Sequence, residues 1–218
     1  MTHNSINVYG ITGTIGSGKT TIVDYLREKH GFSEYSFASP LKDMAKCIGF
    51  THTQVYGTQE QKLEINEHWG ISGRVFLQKF GTDIIRDILP SVIPEMRTDK
   101  SVWIKLFKIH MSNLEKSIPD LENVIEKNIV VGDVRFVDEG DVIHEYKGCM
   151  IRVLRPEKYF SHDENMPLNH ESNHKSELES LKIPVDCTIY NDGSLKDLYD
   201  KLDILMSGNE FESMLSLV

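Results

Sequence analysis

Apolar positions fall into two rhythms that alternate along the chain. Short runs rich in branched and aromatic residues occur at 6–11, 34–38, 129–132, 149–154 and 186–190, and runs of this length predict buried strands. Between them apolar residues return every three or four positions, the helical period. In 74–89, Leu77, Phe80, Ile84 and Ile88 recur at that spacing and are expected to face a core, with Gln78, Thr82 and Arg86 on the side away from it. Pro90 and Pro94 should end that segment. Ser39 is placed to cap another helix, with Pro40 at its first position and Gly49 as its stop. Asn191-Asp192-Gly193-Ser194 predicts a turn, with Ser194 capping a last helix to about Met206. Strands and helices in alternation predict an α/β fold of three layers, a five-stranded parallel sheet with helices on both faces.

Two stretches break the rhythm. Residues 51–73 are polar with a helix-like middle and predict a flap or small subdomain inserted in one domain of 218 residues. Residues 156–184 carry His162, His170 and His174 among acidic and amide residues, and a polar stretch of that length predicts a lid. The spacing His170-x-x-x-His174 lacks helical support and a third ligand, so no metal is expected there.

Composition narrows the class of partner. Apolar residues make up 39% and charged residues 26%, an ordinary globular balance. The net charge of -9 argues against a nucleic-acid backbone as partner, because that binding uses clustered cations. Cys47, Cys149 and Cys187 lack metal spacing and are expected as reduced thiols buried like small apolar groups. No apolar run reaches membrane-spanning length, and residues 1–7 are too polar for a signal peptide, so the expected location is the cytoplasm without a membrane partner.

Candidate chemistry begins directly after the first strand. Gly13-Thr14-Ile15-Gly16-Ser17-Gly18-Lys19-Thr20 satisfies G-x-x-x-x-G-K-[ST] between a strand and a helix. Glycines let backbone N–H groups turn inward on a phosphate chain at a helix N-terminus whose dipole favours anions. Lys19 would reach the β- and γ-phosphates, and the Thr20 hydroxyl would ligate Mg2+. Phosphate binding alone leaves GTPase, ATPase and kinase open. A guanine-reading Asn-Lys-x-Asp after a strand is absent, and the polar insertions suit a small kinase with an acceptor flap and a lid. The strand at 129–132 ends in Asp133-Val134-Arg135, at the sheet edge where α/β proteins bind ligands. Asp133 could hold Mg2+ through water or accept a proton from the acceptor, Arg135 could clamp a phosphate, and a structural ion pair is the rival reading. For Arg74, Gln78 and Thr82 the rival is a solvated helix face, and for Trp103 a core position.

Taken in order, these segments resemble the deoxynucleoside monophosphate kinases encoded by bacteriophages and related viruses. The resemblance is carried by the phosphate loop, Ser36-Phe37-Ala38-Ser39-Pro40-Leu41-Lys42, Arg74-x-x-Leu77-Gln78-x-x-Gly81-Thr82-Asp83 and Trp103-Ile104-Lys105-Leu106-Phe107. It continues through Asp133-Val134-Arg135-Phe136-x-Asp138-Glu139-Gly140, Val153-Leu154-Arg155-Pro156, His174-Lys175-Ser176-Glu177 and Asn191-Asp192-Gly193-Ser194. One position departs: the family members carry Asp after the loop lysine, where this chain has Thr20, the usual choice for Mg2+. The resemblance implies an adenylate-kinase-like phosphate-loop fold and transfer of the ATP γ-phosphate to a deoxynucleoside monophosphate. It implies Lys19, Asp133, Arg135 and Glu139 as the catalytic set, with Thr20 and Asp133 toward Mg2+. Gly13, Thr14, Gly16, Ser17, Gly18, Lys19, Thr20, Thr21, Asn191 and Asp192 would meet the donor nucleotide. Lys42, Arg74, Gln78, Gly81, Thr82, Trp103, Arg135 and Arg155 would serve the acceptor, Arg74 at its phosphate and Gln78 at a base edge. Such chemistry needs in-line positioning and charge neutralisation more than covalent help. Phosphomevalonate kinases share a similar loop, the Pro-Leu-Lys helix start and an Asp-x-Arg strand end, and are the nearest alternative. A nucleotide-dependent switch is a third reading. The small-molecule acceptor is the expected partner, a homodimer is left open, and virus encoding would place the protein in the host cytosol.

Overall fold

The computed structural model describes residues 6–96, 98, 101–117, 127–156 and 175–207. Five strands form one sheet: β1 (Ile6–Thr12), β2 (Ser33–Tyr35), β3 (Lys127–Val131), β4 (Cys149–Leu154) and β5 (Cys187–Tyr190). Their order is β2-β3-β1-β4-β5, with every neighbouring pair parallel. The chain separates into two compact units, residues 1–35 with 118–218, and residues 36–117. The first holds the whole sheet, and β1 lies at its centre, where the strand order turns back on itself.

Alternation along β1 shows why the sheet needs helices on both faces. Tyr9 and Ile11 point to the side of α1 (Lys19–His30) and α10 (Leu195–Met206), in a cluster with Ile22, Leu26, Val130, Ile151, Leu198 and Leu202. Gly10 points the other way, where a Cβ would run into Sδ of Met150 and crowd Ile143 of α8 (Val137–Glu145) at 3.2 Å. Glycine at position 10 is what leaves room on that face for the side chains of Met150 of β4 and Ile143 of α8. Ile11, Ile22, Leu26 and Ile151 are fully buried, and each contributes about 1.5–3 kcal/mol from removal of apolar surface from water. At the rim, Asp203 of α10 meets three residues of α1: its Oδ1 accepts from Tyr25 Oη at 2.8 Å and pairs with His30 Nε2 at 2.9 Å, and its Oδ2 accepts from Lys29 Nζ at 2.6 Å. These partners, Lys29 first, hold its carboxyl down to about 2.

The α10 start follows its sequence signal: Ser194 caps through the N–H of Asp197, and Asp197 returns a bond to the Ser194 N–H. β2 does not. It covers Ser33–Tyr35, not 34–38, because the chain turns at 36–38 into α2 (Ser39–Cys47), where Ser39 is itself helical and Ala38 occupies the cap. Gly49, at φ +99°, does follow the end of that helix. The thiols also differ from expectation. Cys47 is exposed, and Cys149 and Cys187 are half-buried.

The second unit is helical: α2, α3 (His52–Tyr56), α4 (Gln59–Leu63), α5 (Gly73–Gln78), a π-helical segment (Lys79–Ile88), α6 (Leu89–Val92), a 3-10 turn (Pro94–Met96) and α7 (Val102–Ser117). Residues 51–73 are short capped helices and turns. Their apolar centre is Ala45, Phe50 and Val55, against Phe76 and Leu77. Their polar centre is Asn66, 4% exposed. Its Nδ2 donates to the Gly49 carbonyl at 3.1 Å and Gln54 Oε1 at 3.0 Å, and its Oδ1 accepts from the N–H groups of His68 and Trp69. Every polar atom of this buried side chain is therefore satisfied, which is the condition for burying it without loss.

The π-helical segment overturns the expected facing of 74–89. Thr82 and Arg86 are buried, whereas Ile84 and Ile88 are 43% and 50% exposed. A π-helix makes roughly 4.4 residues per turn against 3.6, so each residue turns about 18° less. Across the segment the buried face therefore drifts by more than a right angle from an α-helical projection. Pro90 does not end the run either. It sits in the first turn of α6, where its missing N–H costs nothing. The expected lid lies mostly outside the described residues, as do His162, His170 and His174. Among the described residues no helix is long and apolar enough to cross a membrane.

Gly10→Val should overpack the α8 face and lower unfolding free energy by about 1–3 kcal/mol. Denaturant unfolding would show a lower midpoint at unchanged slope, and an unchanged midpoint would refute the close approach.

Candidate functional site

The sheet unit builds its site at the carboxyl end of β1. After Thr12 the backbone turns through Gly13 (φ +147°), Gly16 (φ +73°) and Gly18 (φ +108°), conformations that side chains disfavour, and enters α1 at Lys19. Gly13 also meets the Val153 carbonyl of β4 too closely for any Cβ. The loop is thus closed by both conformation and contact, with its helix start available to an anion. Lys19 curls back over it, Nζ donating to the Gly13 carbonyl at 2.6 Å and the Thr14 carbonyl at 2.8 Å. The Ser17 hydroxyl is fully buried and has no hydrogen-bond partner. A buried hydroxyl without a partner costs about 1–3 kcal/mol, and an oxygen-rich ligand in the loop would supply one. The cradle and this orphaned hydroxyl fit a nucleotide's phosphates. Thr20 is exposed on the first turn of α1. Among the described residues no group of three or more His, Cys, Asp or Glu side chains gathers as for a metal. Mg2+ in phosphoryl-transfer sites takes one or two protein oxygens together with substrate phosphates, so it does not need such a group.

Beside the loop, β3 delivers Asp133, and Val134 ties the following turn to β1 by donating to the Ile11 carbonyl at 3.3 Å. Arg135 is exposed. Glu139, 3% exposed, turns its Oε2 back to accept the backbone N–H of Arg135 at 2.8 Å and of Phe136 at 3.2 Å. Its carboxylate thereby satisfies the start of α8 and sets the turn that carries Arg135. Tyr35, overlooked in the sequence, stands here too. It closes β2 in register with Val131, two residues before Asp133. Burial, then the charges of Asp133 and Glu139, push its phenol well above the usual range. Its position at the carboxyl end of a parallel strand is the signal that could have found it.

Arg155 follows β4 and is exposed. Two residues before β4 ends, Arg152 donates to the carbonyls of Leu181 at 3.2 Å and Ile183 at 2.6 Å, tying the chain after α9 (Lys175–Ser180) to the sheet. Asn191 and Asp192 follow β5. Asn191 Nδ2 donates to the Ser17 carbonyl at 2.8 Å, and Asp192 is paired with Lys201 at 2.8 Å.

The helical unit holds the residues expected for the acceptor. Arg74 and Gln78 are half-buried on α5, and Gly81 and Thr82 are buried in the π-helical segment. Gly81 lies against Leu41 of α2 so closely that a Cβ would strike its Cδ2. Trp103, 5% exposed, donates its indole N–H to the Gly81 carbonyl at 3.1 Å. It holds the segment from α7 and presents no open face for stacking. Lys42 places its ammonium 4.8 Å above the Tyr56 ring. Arg86, 8% exposed, donates to Ser101 Oγ at 3.4 Å.

Known proteins are similar to this chain. The sequence profile of the deoxynucleotide monophosphate kinase family matches residues 45–202. A protein of Acanthamoeba polyphaga mimivirus, provisionally named a deoxynucleotide monophosphate kinase, is 33% identical over 88% of this chain and 92% of its own. Two solved structures align at lower similarity. Dephospho-CoA kinase from Campylobacter jejuni is 17% identical with a TM-score of 0.47, covering 93% of this chain and 96% of its own. TT1252 from Thermus thermophilus is 18% identical with a TM-score of 0.48, covering 94% and 98%.

Because the folded Tyr35 phenol stays protonated where the unfolded one ionises, its contribution is complete below about pH 10 and is lost as pH rises through the raised value. Unfolding free energy should therefore fall faster from about pH 9.5 to 11.5 in the wild type than in Tyr35→Phe. Equal slopes would contradict the packing of Tyr35 against Asp133 and Glu139. Glu139→Ala should lower stability by about 1–2 kcal/mol through loss of the cap on two backbone N–H groups, read by denaturant unfolding.

Proposed function

This chain belongs to the deoxynucleotide monophosphate kinase family, and we propose that it transfers the γ-phosphoryl group of ATP, with Mg2+, to a deoxynucleoside monophosphate. The product would be a deoxynucleoside diphosphate. The observation that carries the donor half is the glycine loop with its buried, partnerless Ser17 hydroxyl at the start of α1. Lys19, now spent on two loop carbonyls, would exchange them for phosphate oxygens and neutralise charge on the transferring group. Mg2+ would supply further neutralisation of the phosphates, held on the protein side by Thr20 and Asp133.

Arg135 supplies a cation on the turn after β3, and Glu139 keeps that turn in shape from beneath. Arg155 adds a second cation at the end of β4. On the acceptor side, Arg74 would bind the monophosphate, Gln78 would read a base edge, and Lys42, Gly81 and Thr82 would line the site. Trp103 supports Gly81 from behind. Removal of a positioned charge in such a site costs several powers of ten in rate, because catalysis here is positioning and electrostatics.

With purified protein, Mg-ATP and a panel of deoxynucleoside monophosphates, ribonucleoside monophosphates and phosphomevalonate, ADP should form with at least one deoxynucleoside monophosphate. Absence of turnover with every one of them would sink the proposal, and turnover with phosphomevalonate alone would replace it. Lys19→Ala should lose roughly a thousandfold in kcat. Gln78→Ala should shift the ratio of kcat/KM between bases by about tenfold while leaving the best substrate's kcat closer to wild type.

A further inference from the structure

Asn191 lies against the phosphate-binding loop with its side-chain amide committed to it. Nδ2 donates to the Ser17 carbonyl at 2.8 Å, and a Cβ on Gly18 would stand 2.5 Å from that nitrogen, so only glycine at 18 admits the amide. The backbone N–H of Asn191 donates to the Leu154 carbonyl at 2.7 Å, which seats the residue against the end of β4. Lys201 of α10 brackets it on both sides, donating to the Tyr190 carbonyl at 2.6 Å and to Asp192 Oδ1 at 2.8 Å. The backbone that delivers the amide is therefore held at Asn191 and at the residues on either side of it.

A trans peptide is planar, and the carbonyl of one residue points opposite to the N–H of the next. With the Ser17 carbonyl drawn toward the Asn191 amide, the Gly18 N–H is aimed the opposite way, away from that amide. The peptide would not hold this orientation by itself. Gly16 and Gly18 both have positive φ, and glycine moves between backbone basins at little steric cost. An outside bond is needed to choose one orientation.

We propose that Asn191 is a positioning residue of the donor phosphate site, locking the Ser17–Gly18 peptide so that the Gly18 N–H is presented to phosphate oxygens. In this role it does not read the base of the donor nucleotide. Lys201 acts one step further back, holding the turn that delivers the amide. The inference rests on the donor-site reading above, and its test separates the two.

Wild type, Asn191→Ala, the isosteric Asn191→Asp and Lys201→Met are compared for binding of ATP, GTP and inorganic tripolyphosphate by calorimetry. Melting temperatures are measured alongside, and the Gly18 amide is followed by 15N–1H NMR. Asn191→Ala should weaken all three ligands by a similar factor, about tenfold for a lost hydrogen bond in the site. Asn191→Asp should weaken them more, since a carboxylate would face the Ser17 carbonyl while volume and backbone contact stay the same. Lys201→Met should produce a smaller loss of the same pattern. Tripolyphosphate should move the Gly18 amide resonance downfield in the wild type and move it less in the variants. Equal tripolyphosphate affinity in wild type and folded Asn191→Asp would overturn the proposal, as would weakening confined to ATP, which would make Asn191 a base-reading residue. Failure of the wild type to bind any of the three would instead remove the donor-site reading, and this proposal with it.

Discussion

The sheet unit depends on one constraint: the backbone must pass from β1 into α1 through a turn with no room for a side chain at Gly13 or Gly18. Gly13 is pressed against the Val153 carbonyl, and Gly18 is pressed against the Asn191 amide. Both also have positive φ. Two strands beyond β1 in the sequence, β4 and β5, supply the surfaces that close the loop. The order β2-β3-β1-β4-β5 brings those surfaces into place, with β4 directly beside β1 and β5 beyond it. The phosphate site is therefore a product of the whole sheet, though its motif occupies eight consecutive residues.

The same economy appears in how charged residues are used around the loop. Glu139 accepts backbone N–H groups and shapes the turn bearing Arg135. Asp192 is engaged by Lys201, which holds its carboxyl below the usual range. Arg152 ties the chain after α9 to β4. Each of these groups does its work through another residue. Lys19, bonded to two loop carbonyls, and Arg135 and Arg155, exposed after β3 and β4, are the cations proposed above to meet the phosphates.

The helical unit is organised on different terms. Its centre pairs a small apolar cluster around Phe50 with the fully bonded Asn66, whose amide joins Gly49, Gln54, His68 and Trp69. The π-helical segment gives the unit its unusual facing. It buries Thr82 and Arg86 and turns Ile84 and Ile88 outward. Trp103 and Leu41 grip it at Gly81, where a close approach of α2 and an indole bond converge. Wide helical turns are often found at functional sites, and here the turn lies in the segment proposed above to serve the acceptor.

Much of this was legible in the order of residues. Strand and helix alternation, the glycine loop, Asp133 at the end of a strand and the Ser194 cap are local signals, because each depends on neighbours within a few positions. The family is legible for the same reason, through short blocks kept in order. What the residues could not reveal is set by contacts distant in sequence. Facing in 74–89 follows a π-helical register that an α-helical period misprojects. β2 ends early because the chain turns into α2, which position 34–38 alone does not show. Tyr35 acquires its surroundings from Asp133 and Glu139, about a hundred residues away by sequence number. Asn191 read as a turn residue that would meet the donor nucleotide, and only the neighbouring strands reveal that its amide bonds the loop backbone. Sequence by itself determined the elements and the phosphate chemistry, since propensity and motif act locally. Tertiary structure decided which side chains are spent on the backbone around that loop, Asn191, Glu139 and Arg152 among them, since that depends on what the folded sheet sets side by side.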